Sequence, residues 1–255
     1  MKKLLVVKTG TSFSSIIEQY GDFEDMIIRA CGISVDDVVV ANVYDDQTSL
    51  PSTDQIAAII ITGSHTMVTE REEWSTRLMQ WLRDIRHQQI PTLGICYGHQ
   101  LIAEAFGGKV DTHPQGIEIG TKKIQLTEEG SQDRLLAILH DTFYGHVAHR
   151  QTVVELPVDA RILAYNQFEP YHAYAIDNHI WGVQFHPEFS GDIMHAYINE
   201  QQERLIDEGY SIEKLHQSVC DHPFGRFLLD HFINLTGLQV TNPSIGWTIF
   251  SNIEE

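Results

Sequence analysis

Apolar positions in the first half of the chain alternate between two periods. Lys3 to Lys8 encloses the unbroken run Leu4-Leu5-Val6-Val7, Asp37 to Tyr44 is rich in β-branched residues, Ala57 to Thr62 reads AAIIIT, and Pro91 to Ile95 is a further short apolar run. Strands with no polar alternation are buried on both faces, as in a parallel sheet. Between them lie helical patterns at Phe13 to Ala30, Glu73 to His87 and His99 to Phe106. In the second of these, Trp74, Leu78, Trp81, Leu82 and Ile85 share roughly one face, as a core stripe does. Strand and helix in turn predict an α/β fold, an open and mainly parallel sheet flanked by helices.

The pattern shifts between Gly108 and Gln184. Short strand-like runs around Thr121–Leu126, Phe143–His149, Arg161–Tyr165, Tyr171–Ile176 and Trp181–Phe185 are separated by turns, with one helical stretch near Ser131–Leu139. This predicts a short antiparallel addition to the parallel core. Helical spacing returns at Asp192–Glu208 and Val219–Thr236. No repeat or low-complexity linker divides the chain, so one domain is expected over residues 1–240. Residues 241–255, with Trp247 and Phe250, are expected to form a tail that packs in extended form or joins a homodimer contact.

Charge narrows the partners. Across 255 residues, 17 Lys+Arg stand against 35 Asp+Glu, a formal charge of -18. Such a surface repels phosphate backbones, which argues against nucleic-acid binding. No apolar run reaches the length of about 18 residues that a membrane helix needs. The Leu4–Val7 run in MKKLLVVKTG is shorter than the core of a secretion signal and reads as a first strand. A cytoplasmic protein without membrane contact is expected. Cys31, Cys96 and Cys220 are odd in number, widely spaced and without a CxxC pair, which fits neither a disulfide framework nor structural zinc. His146 and His149 lack the H-E-x-x-H pattern, so no metal and no other cofactor is expected. Cys31 and Cys220 read as packing thiols, and His65 as a solvated loop histidine, the alternative being a contact to substrate.

The densest chemistry lies in Gly94-Ile95-Cys96-Tyr97-Gly98-His99-Gln100. An apolar strand runs into Cys96, a helix runs out, and Gly stands two residues to either side. This is the thiol counterpart of the G-x-S-x-G elbow, in which a tight turn holds the nucleophile exposed. At the start of a helix the unpaired N–H groups favour thiolate. The alternative is an inert buried thiol, on which two flanking glycines would be wasted. A thiol nucleophile needs a base and the base an orienter. The strand run Trp181–Phe185 ends in His186-Pro187-Glu188. Residues i and i+2 of an extended segment point the same way, so this tripeptide can present an imidazole with its carboxylate.

Together, GICYGHQ and the downstream GVQFHPEFS resemble the motifs of class I glutamine amidotransferase domains, in particular the stand-alone, GMP-synthase-like branch that also contains cytosolic γ-glutamyl peptidases. The resemblance runs from about residue 40 to 235 and implies the family's flavodoxin-like arrangement. It makes Cys96 the nucleophile towards a γ-glutamyl carbonyl, His186 the base and then the acid, and Glu188 the group that orients His186. It makes the backbone N–H groups of Gly63 and Tyr97 the oxyanion donors, although Thr62-Gly63-Ser64-His65 stands where many relatives have Gly-Gly-Pro. A plain strand-end turn is the alternative for Gly63. Gln100 in C-x-G-x-Q resembles a residue that holds the glutamine substrate, its alternative being a helix-surface Gln. His149 lies in Ala148-His149-Arg150-Gln151, which resembles a Ser-His-x-Asp segment lining the same pocket, with Ala and Gln replacing Ser and Asp. GIEIG at Gly116–Gly120 reads as a structural strand entry. The implied reaction is hydrolysis of glutamine or a γ-glutamyl peptide through a thioester, with a small-molecule γ-glutamyl substrate. An ammonia-using synthetase would need an ATP-binding region, and no G-x-x-x-x-G-K-[ST] is present. Two alternatives follow: a glutaminase subunit that delivers ammonia to a separate synthetase chain, and a non-catalytic binding protein on the same scaffold.

Overall fold

The structure is a computed structural model that describes residues 2–45 and 48–241. Strand β1 (Lys3–Lys8) leads into helices α1 (Ser14–Tyr20) and α2 (Phe23–Cys31), and β2 (Val38–Asn42) and β3 (Ile56–Ile61) follow. Helix α3 (Glu73–Ile85), β4 (Thr92–Ile95) and α4 (Tyr97–Ala105) complete the parallel part. Then come β5 (Lys109–Thr112), β6 (Glu118–Leu126), α5 (Glu128–Gln132), β7 (Thr142–His149), β8 (Gln151–Glu155), β9 (Ala160–Tyr165), β10 (Ala173–Ile176) and β11 (Ile180–Val183). Helices α6 (Gly191–Glu200), α7 (Gln202–Asp207), α8 (Ile212–Ser218) and α9 (Phe224–Thr236) end the described chain.

Nine strands form one sheet in the order β2-β1-β3-β4-β11-β10-β9-β6-β7. The first five are parallel and the remaining pairings antiparallel. The parallel order is the flavodoxin-like arrangement, in which a crevice opens at the carboxyl ends of the strands. Four of the five strand-like runs expected in the antiparallel addition, β6, β7, β9 and β10, form it, while the fifth, β11, pairs in parallel with β4, and β5 and β8 make a separate pair. β5, β8 and α8 were not foreseen.

The unbroken apolar strands are explained by burial on both faces. Leu4 and Val6 join Ala58, Ile60 and Leu93 on one side, under α2 and α9. Leu5 and Val7 join Ile59 and Ile61 on the other, under α3 and α4 with Leu78, Leu82, Leu101 and the partly buried Trp81. Trp74 packs in that same layer.

Four helical expectations are revised. The pattern over Phe13–Ala30 is two helices, broken at Gly21-Asp22. Asp22 caps α2, accepting from the Phe23 N–H at 2.8 Å while Asp25 returns a bond to the Asp22 N–H at 3.0 Å. Asp22 also takes Lys8 Nζ at 2.7 Å and the Ser12 N–H at 2.8 Å, so a reciprocal cap with tertiary partners outweighs continuous helical periodicity. The stretch near Ser131–Leu139 is helical only as α5. Beyond it, Asp133 accepts from the Leu135 N–H and from Trp181 Nε1, which ties the turn to the core. The pattern Asp192–Glu208 divides into α6 and α7, and α9 starts at Phe224 rather than Val219. Of the expected tail, only Thr241 is described, bonded to the Gly32 carbonyl at 2.9 Å, and the rest lies outside the described residues. Among the described residues no helix is long and apolar enough to cross a membrane.

Candidate active site

The turn after β4 is sterically determined. Cys96 has φ 50°, ψ -98° and stands at the N-cap of α4, one of few non-glycine residues with positive φ. Such a conformation costs on the order of 1–3 kcal/mol and persists where surrounding contacts impose it. The two glycines supply that context. A Cβ on Gly94 would meet the Gly98 carbonyl at 2.5 Å, and one on Gly98 would meet the Ile61 carbonyl oxygen at 2.6 Å. The first turn of α4 is thus pressed onto β4 and β3, which aims the Cys96 side chain at the crevice.

The second segment arrives by strand pairing. β11 lies beside β4 with Gly182 opposite Gly94 and Val183 opposite Ile95, and the Cys96 N–H donates to the Val183 carbonyl at 2.9 Å. Three residues further, the His186 N–H donates to the His146 carbonyl of β7 at 2.8 Å. His186 and Glu188 turn to the same side, Nδ1 to Oε1 2.8 Å, and both are buried. The His186 ring stacks on Phe189 at 4.1 Å and lies parallel to Phe23 at 6.3 Å. Burial pushes the imidazole pKa down, but the charges of Glu188 and Cys96 and their hydrogen bonds outweigh it and hold it up at about 10. His186 thus stands between the Glu188 carboxylate and the Cys96 sulfur, with its imidazolium form favoured by both.

The other sequence-predicted residues converge here. Gly63 lies two residues past the end of β3, against the His186 ring, where an added Cβ would lie 3.1 Å from Cε1. The Tyr97 side chain packs with Trp74 in the layer under α3, while its backbone N–H belongs to the first turn of α4 and has no partner within the helix. Gln100 is buried rather than on a helix surface, its amide donating to the Gln151 carbonyl at 2.8 Å and to Gln184 at 2.9 Å. His149 is buried, with Nε2 3.0 Å from Glu118 Oε2 and Nδ1 3.0 Å from the Gln151 carbonyl. Cys96, Tyr97, Gln100 and His149 line one cavity of ≈ 260 Å³ together with residues after β3, in the β7–β8 turn and on α6. Gly63, His186 and Glu188 are not among the residues that line it, and Glu188 meets the site through His186 Nδ1.

Several contributors were not foreseen. Glu118, in the GIEIG segment, also lies 3.3 Å from His172 Nε2 and accepts from Asn166 at 2.7 Å. Burial would raise its pKa, but the hydrogen bonds and charges of His149 and His172 pull it well below the usual carboxylate range. His149 is raised in turn, the effect of burial being outweighed by Glu118, Glu169 and Cys96. His65 is exposed as expected, yet its ring packs 4.4 Å from Phe13 and shares the cavity with Cys96. Arg150 and Arg204 also line it. A signal for Arg150 was its place beside His149, whereas Arg204 on α7 had none. Cys31 is a packing thiol, but Cys220 is exposed. No group of three or more His, Cys, Asp or Glu that could hold a metal ion occurs among the described residues.

Strand order, elbow and crevice define an α/β protein with a thiol at a helix start beside a carboxylate-bound imidazole. The profile of class I glutamine amidotransferases matches residues 15–202, and the chain belongs to this family. It is 26% identical over 183 residues to γ-glutamyl peptidase 4 of Arabidopsis thaliana, covering 63% of this chain and 70% of that one. Over 131 residues it is 40% identical to the glutamine-hydrolysing GMP synthase of Vibrio atlanticus, which is 51% of this chain but 24% of that protein. A crystal structure of a glutamine amidotransferase from Thermotoga maritima superposes with a TM-score of 0.73 at 17% identity, covering 92% of this chain and 98% of that one.

Proposed function

We propose that the protein hydrolyses a γ-glutamyl amide through a γ-glutamyl thioester on Cys96. The observation that carries the reading is the Cys96 elbow beside His186, whose Nδ1 lies 2.8 Å from Glu188 Oε1. The thiolate adds to the γ-carbonyl carbon, and negative charge moves to the carbonyl oxygen. The N–H groups of Gly63 and Tyr97 are the donors proposed for that oxygen, each worth roughly 3–4 kcal/mol of transition-state stabilisation. As the tetrahedral species collapses, the C–N bond breaks and His186 gives its proton to the departing amine. Water then adds to the thioester with His186 as base, the C–S bond breaks, and glutamate leaves with the thiolate restored. Glu188 keeps the imidazole oriented and charged. Gln100 and His149 form the wall on which the glutamyl group rests.

The leaving group is ammonia for glutamine and an amine for a γ-glutamyl amino acid or peptide. The likeness to γ-glutamyl peptidases, which runs over most of the chain, favours an enzyme that acts by itself. The likeness to the GMP synthase, confined to a quarter of that protein, supports a second reading in which ammonia passes to a separate synthetase chain. Glutamate release from glutamine and from γ-glutamyl dipeptides, assayed in parallel, tests both. Cys96→Ala is expected to lower release at least a thousandfold while circular dichroism and thermal unfolding stay near wild type. Comparable turnover by that variant would remove the mechanism.

A further inference from the structure

The charge of the cavity opposes the charge of the protein. The chain carries 35 acidic residues, yet among the described residues that line the cavity with Cys96 there is no Asp or Glu, and there are two arginines. Both are fixed by one carboxylate behind them. Arg150 Nη1 donates to both oxygens of Glu208 at 2.8 Å, and Arg204 Nε donates to Glu208 Oε1 at 3.0 Å. Two guanidiniums against one carboxylate leave an excess positive charge at the wall. Among the described residues the terminal nitrogens of Arg204 donate to no protein acceptor, and its side chain is 62% exposed. Gln100, His149 and Gln151, by contrast, are buried. The cavity therefore has a neutral or imidazole-bearing inner wall and a guanidinium rim.

The departing amine must leave towards solvent, so groups attached to it lie at the rim while the glutamyl group lies against the inner wall. A preorganised planar guanidinium recognises a carboxylate in two parallel hydrogen bonds. We infer that Arg204, held in place with Arg150 by Glu208, binds the carboxylate of the amine portion of a γ-glutamyl amino acid or peptide and so sets the preference among γ-glutamyl amides. This rests on the γ-glutamyl hydrolysis proposed above. The same chemistry is offered by the α-carboxylate of the glutamyl group, which every such substrate shares.

γ-Glutamylglycine and γ-glutamylmethylamide differ only in the amine-side carboxylate and separate these sources. In wild type, kcat/KM for γ-glutamylglycine is expected to exceed that for γ-glutamylmethylamide by tenfold or more. Arg204→Gln should reduce that ratio about tenfold, mainly through KM, and Arg204→Lys should restore part of it. Because Arg204 is exposed, the wild-type ratio should also shrink as salt is raised from about 0.02 to 0.5 M. Equal kcat/KM for the two substrates in wild type would overturn the inference and leave the hydrolytic reading standing. An equal fall on both substrates in Arg204→Gln would overturn it too, and would assign the arginine to the α-carboxylate. Turnover of neither substrate by wild type would remove both the inference and the hydrolysis on which it depends.

Discussion

At the scale of single residues the site depends on the ionisation of one buried pair. In the proposed mechanism His186 carries the proton that goes to the leaving amine, and Glu188 and the Cys96 sulfur raise its pKa against desolvation. The alkaline limb of kcat/KM is expected near pH 10, where that proton is lost. Glu188→Gln removes a negative charge 2.8 Å from Nδ1, which destabilises the imidazolium and moves the alkaline limb to lower pH. The rate at neutral pH should fall about 10–100-fold, less than for Cys96→Ala, because in the proposed mechanism Glu188 touches the base and not the substrate. A pH–rate profile of the variant checks this. An unchanged alkaline limb would show that His186 does not owe its charge to Glu188.

Among elements, the elbow is a contact between α4 and two strands. Gly98→Ala places a methyl 2.6 Å from the Ile61 carbonyl oxygen, a backbone atom that cannot swing aside as a side chain does. Either α4 shifts off β3 or the substitution is tolerated under strain, at a cost of typically 1–3 kcal/mol. Since Cys96 is the cap of that helix, activity should fall by more than tenfold even where the protein remains folded. Chemical denaturation together with the rate of Cys96 alkylation separates the two effects. A variant with wild-type alkylation and turnover would contradict the role given to the close packing. The antiparallel strands matter equally, since His186 is bonded to β7 and His149 lies at its end.

Across the whole molecule, a buried charged network joins the antiparallel half to the crevice. Glu118 on β6, His149 on β7, His172 before β10 and Asn166 after β9 meet around one carboxylate. Glu118 has a folded pKa below its ordinary value of 4.5, so its contribution to stability is present above that value and is lost as pH falls below it. His149 is raised above 6.5, so its contribution is complete below that value and declines as pH rises through the folded pKa. The pair is thus most stabilising between these limits. Glu118→Gln should cost about 3–5 kcal/mol at pH near 5.5, as removal of one partner from a buried pair does. The difference from wild type should narrow in more acidic solution. Urea denaturation at several pH values measures both. A cost independent of pH would mean that the carboxylate acts by shape and not by charge.

The sequence by itself determined the parallel core, because strands buried on both faces must be continuously apolar and helices flanking them must carry one apolar stripe. It also determined the strand-to-helix turn at Cys96 and the contact of His186 with Glu188, since an elbow needs glycines at fixed local spacing and residues two apart on extended chain share a side. Local chemistry is written in local order. What lay beyond it was set by tertiary contact. The split between α1 and α2 follows from Lys8 and Ser12 meeting Asp22, and the turn after α5 from Trp181 reaching Asp133. The pairing of β11 with β4, which brings the His186 segment to Cys96, joins residues far apart in the chain. Glu118 looked like part of a strand entry until β6 and β7 paired and brought it to His149. Arg204 shares no motif with Cys96, and only the packing of α7 against the β7–β8 turn, through Arg150 and Glu208, places its guanidinium at the cavity rim. Periodicity and motif spacing report which face of an element is buried and what its own turn presents. The partner across that face is decided by the fold's closure.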